Sequence, residues 1–250
     1  ALLLLLSAAM ATSYNVAALV SGGKDSIYNM MECVKEGHQI VALANLYPDE
    51  GDEIDSFMYQ TVGHEGIEAI SQCMDVPMFR RPVRKGRSLC TDLEYHQTEG
   101  DEVEDLFNLL SHIKLAMPHI NAVASGAILS NYQRIRVETV CDRLGLVSLA
   151  FLWQRNQREL LDEMIDSGVH AILIKVACLG LDSKHLGKTI ADIRPVLHRL
   201  HREFECHICG EGGEFESFTL DCPLFRFRIE IDSREVVESG GGVAHLRMSS

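Results

Sequence analysis

Basic side chains are in short supply: 23 Lys and Arg stand against 36 Asp and Glu, a formal net charge of −13. That deficit argues against a protein held to nucleic acid or to an anionic membrane by broad electrostatic attraction, and leaves room only for a local basic groove. Paired cysteines are also few. Of the eight cysteines, only Cys206 and Cys209 form a C-x-x-C, which excludes a disulfide scaffold and reads as small buried hydrophobes in a reducing, cytoplasmic setting. Long apolar runs are missing. Leu2 to Leu6 looks like the core of a signal peptide, but it lacks a basic flank, is far too short to span a bilayer and precedes Met10, a candidate start. Residues 1–13 are therefore expected to be an unstructured leader. What remains, 250 residues with 46% hydrophobic and 24% charged side chains, has the composition of a globular protein with one large domain, or a domain and a smaller lobe.

Along the chain, short apolar runs alternate with helical periodicity. Asn15 to Val20, Gln39 to Leu46, Met78 to Val83, Ala122 to Leu129 and Val147 to Ala150 read as buried strands. Between them lie helical patterns after Asp25, over Asp55 to Met74, after Gly100 with Asp101 as N-cap and Glu104 in the capping-box position, and over Tyr132 to Leu144. Strands and helices alternating in this way imply βαβ units and a parallel sheet covered on both faces. Beyond Trp153 the pattern continues with a helix from Arg158, a strand from Ala171, a helix over Ala191 to Phe204 and strand-like Leu224 to Ile231. The expected organisation is a first domain over 14–150, a smaller lobe over 151–235 and a flexible tail over 236–250.

The strand ending at Val20 runs straight into Ser21-Gly22-Gly23-Lys24-Asp25-Ser26 and then a helix. Two glycines let the backbone turn sharply and approach a ligand, and the N–H groups of the helix start point into the turn, which makes it an anion site suited to phosphate. Ser21 and Ser26 add hydroxyls, Lys24 a cation, and Asp25 a carboxylate able to hold a Mg²⁺ that bridges phosphates. The P-loop pattern does not fit, because Ala18 stands at its first glycine and Asp25 at its Ser/Thr position.

The hexapeptide resembles the PP-loop of the N-type ATP pyrophosphatases, which cleave ATP between the α and β phosphates and adenylate a substrate. Over about residues 14–235 the chain resembles one branch of them, the diphthine–ammonia ligases. The matching stretches are Glu99 to Leu106, Gly126 to Glu138, Leu152 to Asn156 and Gly210 to Phe218. The resemblance implies an α/β fold with a HUP-type parallel sheet and a smaller C-terminal α/β lobe. It places ATP at the carboxyl ends of the strands, with Ser21 to Ser26 at its pyrophosphate end, Ala44 and Leu46 near adenine, and Gly126 and Ala127 completing the pocket.

Within these motifs Tyr132, Arg136, Trp153, Glu211, Gly212, Gly213, Glu214 and Glu216 are the candidate acceptor residues; of the arginines that open the helix, Arg134 and Arg136, one can reach the phosphates or the adenylate while the other pairs with Glu138 or Asp142. On the residues themselves, Gly212-Gly213 favours a loop, and an extended chain after it sets Glu214 and Glu216 on one face with Phe215 on the other. Carboxylates flanked by Trp153 or Phe215 suit a quaternary ammonium; equally, one Glu can take a proton from ammonium to release ammonia. Glu214 and Glu216 are the candidate catalytic carboxylates beside Lys24 and Asp25. A solvated acidic turn is the plain alternative. Cys206 and Cys209 read either as half of a metal site or as a packed reduced pair, and Arg80 to Arg87 as a solvated basic loop.

The reaction implied is ATP- and Mg²⁺-dependent amidation of diphthine, a modified histidine of translation elongation factor 2, to diphthamide. An acyl-adenylate would form with loss of pyrophosphate, and ammonia would displace AMP. No nucleic acid or membrane partner is expected. Two alternatives stand beside it: a tRNA-thiolating PP-loop enzyme delivering sulfur through Cys206 and Cys209, and a nucleotide sensor without turnover.

Overall fold

The computed structural model describes residues 12–49, 58, 62–83 and 88–249; the expected leader over 1–11, the start of the helix expected from Asp55 and the basic loop at 84–87 lie outside them. Five parallel strands, β1 (Asn15–Leu19), β2 (Gln39–Pro48), β3 (Met78–Val83), β4 (Ala122–Ala124) and β5 (Val147–Leu149), form a sheet in the order β3-β2-β1-β4-β5. The helices α1 (Lys24–Lys35), α2 (Ile67–Met74), α3 (Glu102–Ala116) and α4 (Asn131–Leu144) alternate with these strands. The strand order runs outward from β1 in one direction through β2 and β3, then reverses to β4 and β5. Ligands of open parallel sheets bind outside the carboxyl ends of the strands at such a reversal, here the gap between the ends of β1 and β4.

The second half is built on an antiparallel sheet in the order β7-β6-β9-β8, from β6 (His170–Val176), β7 (Phe215–Asp221), β8 (Ser233–Gly240) and β9 (Val243–Ser249), with α5 (Gln157–Asp166) and α6 (Ile190–Phe204). Two expectations fail in this half. The segment 236–250, expected as a flexible tail, instead supplies most of the hairpin β8–β9, whose inner strand pairs with β6 and buries Ala244, Leu246 and Met248. Its alternating apolar residues are a strand signal, which the Gly240-Gly241-Gly242 turn obscured. Leu224 to Ile231 is not a strand; the strand is Phe215–Asp221, and the later residues fold back so that Ile229 N–H donates to the Leu220 carbonyl.

Smaller departures have local causes. β4 stops at Ala124 rather than Leu129, because Ser125 to Ser130 turn away into the start of α4. Asp101 is the N-cap of α3, accepting from Val103 N–H at 2.9 Å, but Glu104 turns away from the capping box to chelate Arg143 at 2.7 and 2.8 Å and accept from Tyr95. Among the described residues of 55–74, the α-helix runs only from Ile67.

The two sheets share one core. Ile172, Ile174, Phe218 and Leu246 pack in the same buried cluster as Val16, Ile27, Ile67 and Ile70. Phe218 fixes the geometry of the loop after β1. Gly22 has φ +82°, and a Cβ there would stand 2.9 Å from the Phe218 ring and from Ile67. The positive φ and the close ring each demand glycine. Burying a phenylalanine stabilises by roughly 1.5–3 kcal/mol, so the second sheet presses the first sheet's phosphate loop into place.

Candidate nucleotide and acceptor site

A cleft of about 710 Å³ opens at the carboxyl ends of β1, β2 and β4. It is bordered by Ser21, Lys24, Asp25 and Ser26 from the loop and α1, by Ala44 and Leu46 from β2, by Gly126 and Ala127 after β4, and by Gly210 to Gly213, Phe215 and Glu216 from the second half. The loop after β1 is held internally and from outside. Gly23 N–H donates to Ser21 Oγ at 3.3 Å and Ser26 Oγ donates to the Gly23 carbonyl at 2.9 Å. From β7, Ser217 Oγ accepts from Lys24 N–H at 3.1 Å, and Thr219 N–H donates to the Gly22 carbonyl at 2.9 Å. Gly126 is needed for closure: a Cβ there would stand 2.8 Å from the Asp25 carbonyl carbon and the Ser26 nitrogen, both backbone atoms with no freedom to yield.

Lys24 is buried, only 2% exposed. Its ammonium donates to Asp25 Oδ2 at 2.8 Å and to the Cys209 carbonyl, and lies 4.9 Å from the centroid of the Phe215 ring. Burial by itself would lower the Lys24 pKa, but Asp25, Cys209 and Glu211 together outweigh it, so the amine is held protonated above its ordinary value. Burial pushes the Asp25 carboxyl up, against the pull of Lys24. Asp25 Oδ1 is buried with no hydrogen-bond partner among the described residues. A buried carboxylate oxygen left without a donor favours a further cation. The site therefore fits Mg²⁺ of the kind that rests on one or two carboxylates and completes its shell with water and phosphate oxygens. Among the described residues no group of three His, Cys, Asp or Glu forms a metal cage.

The acidic loop is organised differently from the expected pair of free carboxylates. Glu214 lies outside the strand and does not border the cleft; its two oxygens accept from His207 N–H at 2.9 Å and Gly212 N–H at 2.7 Å. Glu216 does border the cleft, with Lys175 Nζ 3.3 Å from Oε1. Glu211 Oε1 accepts from three consecutive backbone N–H groups, Ile128, Leu129 and Ser130, at 2.9, 2.9 and 3.0 Å. Alternation fails at Glu214 because Gly213, at φ +82°, turns the chain just before β7 begins.

Two other expected acceptor residues are placed elsewhere. Arg136 is wholly buried, its guanidinium 3.2 Å from the Tyr132 ring centroid and donating to the carbonyls of Cys90, Asp92, Tyr132 and, at 3.5 Å, Leu93. It fastens the loop before α3, and so does Asp101, which accepts from Leu89 and Cys90 N–H at 2.8 and 2.9 Å. Trp153 lies outside the cleft, with Arg134 stacked 4.6 Å from its ring centroid while Arg134 pairs with Glu138 at 2.8 Å. Both aromatic faces expected for a quaternary cation, Trp153 and Phe215, thus already carry a cation of the chain itself. Tyr132 does border the cleft.

Cys206 and Cys209 are not a pair. The Cys206 sulfur is joined to that of Cys178, whereas Cys209 is buried, donates to the Gln157 carbonyl and has its thiol pushed up to about 12 by burial. Arg80, expected in a solvated loop, is half-buried: Nε donates to Asn45 Oδ1 at 2.9 Å, and the guanidinium stacks 4.5 Å from the Tyr47 centroid. Several residues bordering the cleft were not singled out in the sequence, among them Asn45, Thr91 and Ser125. Asn45 was findable as the polar residue between Ala44 and Leu46 in an otherwise apolar strand; it is buried and donates to the Val20 carbonyl at the end of β1.

With this geometry in hand, the comparisons with known proteins are direct. The family profile for the diphthamide synthase N-terminal domain matches residues 14–148, and that for the C-terminal domain matches 156–248. The chain is 58% identical to the diphthine–ammonia ligase of Mus musculus and 56% identical to that of Homo sapiens, over 94% and 93% of its own length and 90% of each relative. It is 53% identical to the diphthine–ammonia ligase of Schizosaccharomyces pombe, over 94% of its length but 39% of that longer protein. Among solved structures, the U34-tRNA thiolase NcsA from Methanococcus maripaludis aligns over 82% of this chain and 72% of its own, at 14% identity and a TM-score of 0.35. Two matched profiles spanning both sheets, and relatives above half identity across nearly the whole chain, show that this protein belongs to the diphthamide synthase family.

Proposed function

We propose that the protein is an ATP-dependent diphthine–ammonia ligase, with ATP in the cleft between the ends of β1 and β4. The observation that carries the reading is the buried Lys24 paired with the partly exposed Asp25 at the start of α1, with Asp25 Oδ1 lacking a hydrogen-bond partner among the described residues at the edge of the cleft. Family membership and the names of the relatives support the same activity.

The roles follow from chemistry. A carboxylate is a poor electrophile at neutral pH, so it must be activated before ammonia can attack. A diphthine carboxylate oxygen bonds to the α-phosphorus, the bond to pyrophosphate breaks, and ammonia then attacks the acyl carbon as AMP leaves. Adenine rests on the apolar wall that includes Ala44 and Leu46. The phosphates lie against Ser21 to Ser26 and the turn at Gly126 and Ala127, at the positive end of the α1 dipole. Asp25 is the residue that would hold Mg²⁺, whose charge offsets that built up on the phosphates. Lys24, fixed on three sides, supplies preorganised positive charge beside the pyrophosphate. Glu216, which borders the cleft where Glu214 does not, is the carboxylate assigned to the cationic acceptor or to the ammonium proton. The acceptor is a protein, translation elongation factor 2 carrying diphthine, and the reaction takes place in the cytoplasm where that factor works. Among the described residues no helix is long and apolar enough to cross a membrane.

Sulfur transfer to tRNA is the weaker reading. It needs a reactive thiolate at the cleft, whereas Cys209 is buried with its thiol pushed up to about 12, and neither Cys178 nor Cys206 borders the cleft. The deciding experiment supplies ATP, Mg²⁺ and ammonium with either diphthine-bearing elongation factor or unmodified tRNA. Pyrophosphate and AMP released only with the former are expected; release with tRNA alone would reject the assignment.

A further inference from the structure

The loop from Cys206 to Glu214 touches both walls of the nucleotide cleft within three residues. The Cys209 carbonyl accepts from the Lys24 ammonium, which ties the loop to the start of α1. Two residues later, Glu211 Oε1 gathers the N–H groups of Ile128, Leu129 and Ser130, which ties it to the turn between β4 and α4. That turn carries Gly126 and Ala127 on the cleft wall, and Ser130 is the N-cap of α4. Nothing else in the turn offers those three donors a carboxylate, and a helix start is where a negative charge is most favourable.

We infer that Glu211 is a positioning residue that closes the nucleotide cleft by clamping the Gly126–Ser130 turn to the glycine loop of the second half. It does not bind the acceptor. One oxygen accepting three backbone N–H bonds is committed to structure, and its negative charge strengthens each of them. The loop itself is stiff enough to transmit the clamp. Glu214 crosses it by accepting from His207 and Gly212 N–H, the Glu214 carbonyl accepts from Ala177 and Cys178 N–H, and Gly210, at φ +75°, stands so close to Phe215 that a Cβ would lie 2.8 Å from its carbonyl oxygen. Without Glu211 the turn loses these three hydrogen bonds to the loop of the second half.

This role rests on the nucleotide reading of the cleft, but the contact does not, and the test reads them separately. Backbone hydrogen exchange at residues 128–130 is measured in the full chain, in Glu211→Ala and in Glu211→Gln, alongside affinity for a non-hydrolysable ATP analogue with Mg²⁺. Glu211→Gln keeps an amide oxygen at the Oε1 position. We expect exchange at 128–130 to quicken at least about tenfold in Glu211→Ala, with the amides of β1 unchanged, and analogue affinity to fall at least about tenfold. Glu211→Gln should keep most of both. Equal exchange in parent and Glu211→Ala would remove the clamp, and faster exchange without loss of affinity would remove its positioning role. Glu211→Gln that protects the turn yet binds as poorly as Glu211→Ala would mean that the charge acts on the ligand, which also overturns the inference. A parent chain that binds no analogue would instead sink the nucleotide reading, and the positioning role with it.

Discussion

Lys24 and Asp25 are neighbours in sequence, yet the contact of Lys24 Nζ with Asp25 Oδ2 at 2.8 Å is set by a residue 185 positions away, because the Cys209 carbonyl holds the same ammonium from the other side. A lysine at the first turn of a helix ordinarily extends into water. Here the second half of the chain covers it, so that its charge is spent inside the cleft, where electrostatic interactions are least screened.

Asp25→Asn should therefore remove pyrophosphate release almost completely, at least about a hundredfold, while the protein stays folded. It takes away the negative oxygen that fits Mg²⁺ and removes the carboxylate paired with the Lys24 ammonium. The buried Lys24 ammonium would lose the charge that offsets its desolvation, so the melting temperature should fall as well. Turnover at the parental rate in a folded variant would reject the loop assignment.

Gly126→Val tests the closure between β4 and α1. The new Cβ would meet backbone at 2.8 Å, so the turn must move out of the cleft. Nucleotide affinity is expected to drop at least about tenfold, with circular dichroism close to the parent. Unchanged affinity would mean that ATP does not contact this wall.

Arg136 is predicted to act on stability rather than on the acceptor. It satisfies carbonyls of the loop before α3, and leaving buried polar groups without partners costs about 1–3 kcal/mol each. Arg136→Met should lower stability by about 3 kcal/mol or more, measured by denaturant unfolding, and Arg136→Lys should rescue little of it, since an ammonium cannot reach the same fork of acceptors. A stable Arg136→Met variant defective only in amidation would return Arg136 to the acceptor site.

Glu214→Gln and Glu216→Gln should differ. Glu214 uses both oxygens on backbone N–H groups, so Gln loses one bond and loosens the loop. Glu216→Gln is expected to slow single-turnover amidation by roughly ten- to a hundredfold, from the 1.5–3 kcal/mol of a hydrogen bond to a charged group, with ATP affinity near the parent. Identical behaviour of the two variants in both measurements would contradict the separation.

The loop from Cys206 to Glu214 should weaken in mild acid. Burial holds the His207 pKa below its ordinary value, with Lys24 and His201 acting in the same sense and Glu214 and Glu211 opposing. His207 Nδ1 accepts from the N–H groups of Cys209, at 3.2 Å, and Glu211, at 3.4 Å, an arrangement that requires the unprotonated ring nitrogen. The folded state binds fewer protons than the unfolded state, so stability is lost as pH falls below about 6.5 toward the lower folded value. Protection of the amides at 209–211, taken relative to their intrinsic exchange rate at each pH, should fall over that range, and His207→Gln should flatten the response. A parent profile as flat as the variant's would exclude the linkage.

How much was legible in the sequence depended on how local the physics was. The strand from Asn15, the phosphate loop and the N-cap at Asp101 follow from backbone geometry and apolar periodicity within a few residues. The family resemblance was readable for the same reason, since its motifs are contiguous. The hairpin β8–β9 was legible in principle, but three glycines in a row outweighed a short alternating pattern.

The charged residues of the motifs could not be assigned in the same way. Arg136, Trp153, Glu211 and Glu214 each looked like groups for a ligand, because an unpaired charge or aromatic in a dense motif points to one. The fold instead spends them on itself: Arg136 on loop carbonyls, Trp153 on Arg134, Glu214 on its own loop and Glu211 on a turn 81 to 83 residues away. Whether a carboxylate faces solvent, substrate or a backbone N–H is decided by what long-range packing brings within 3 Å of it. Residue type and spacing determined where the nucleotide loop lies and which chemistry it suits; only the docking of the second sheet onto the first decided which side chains remain to do it.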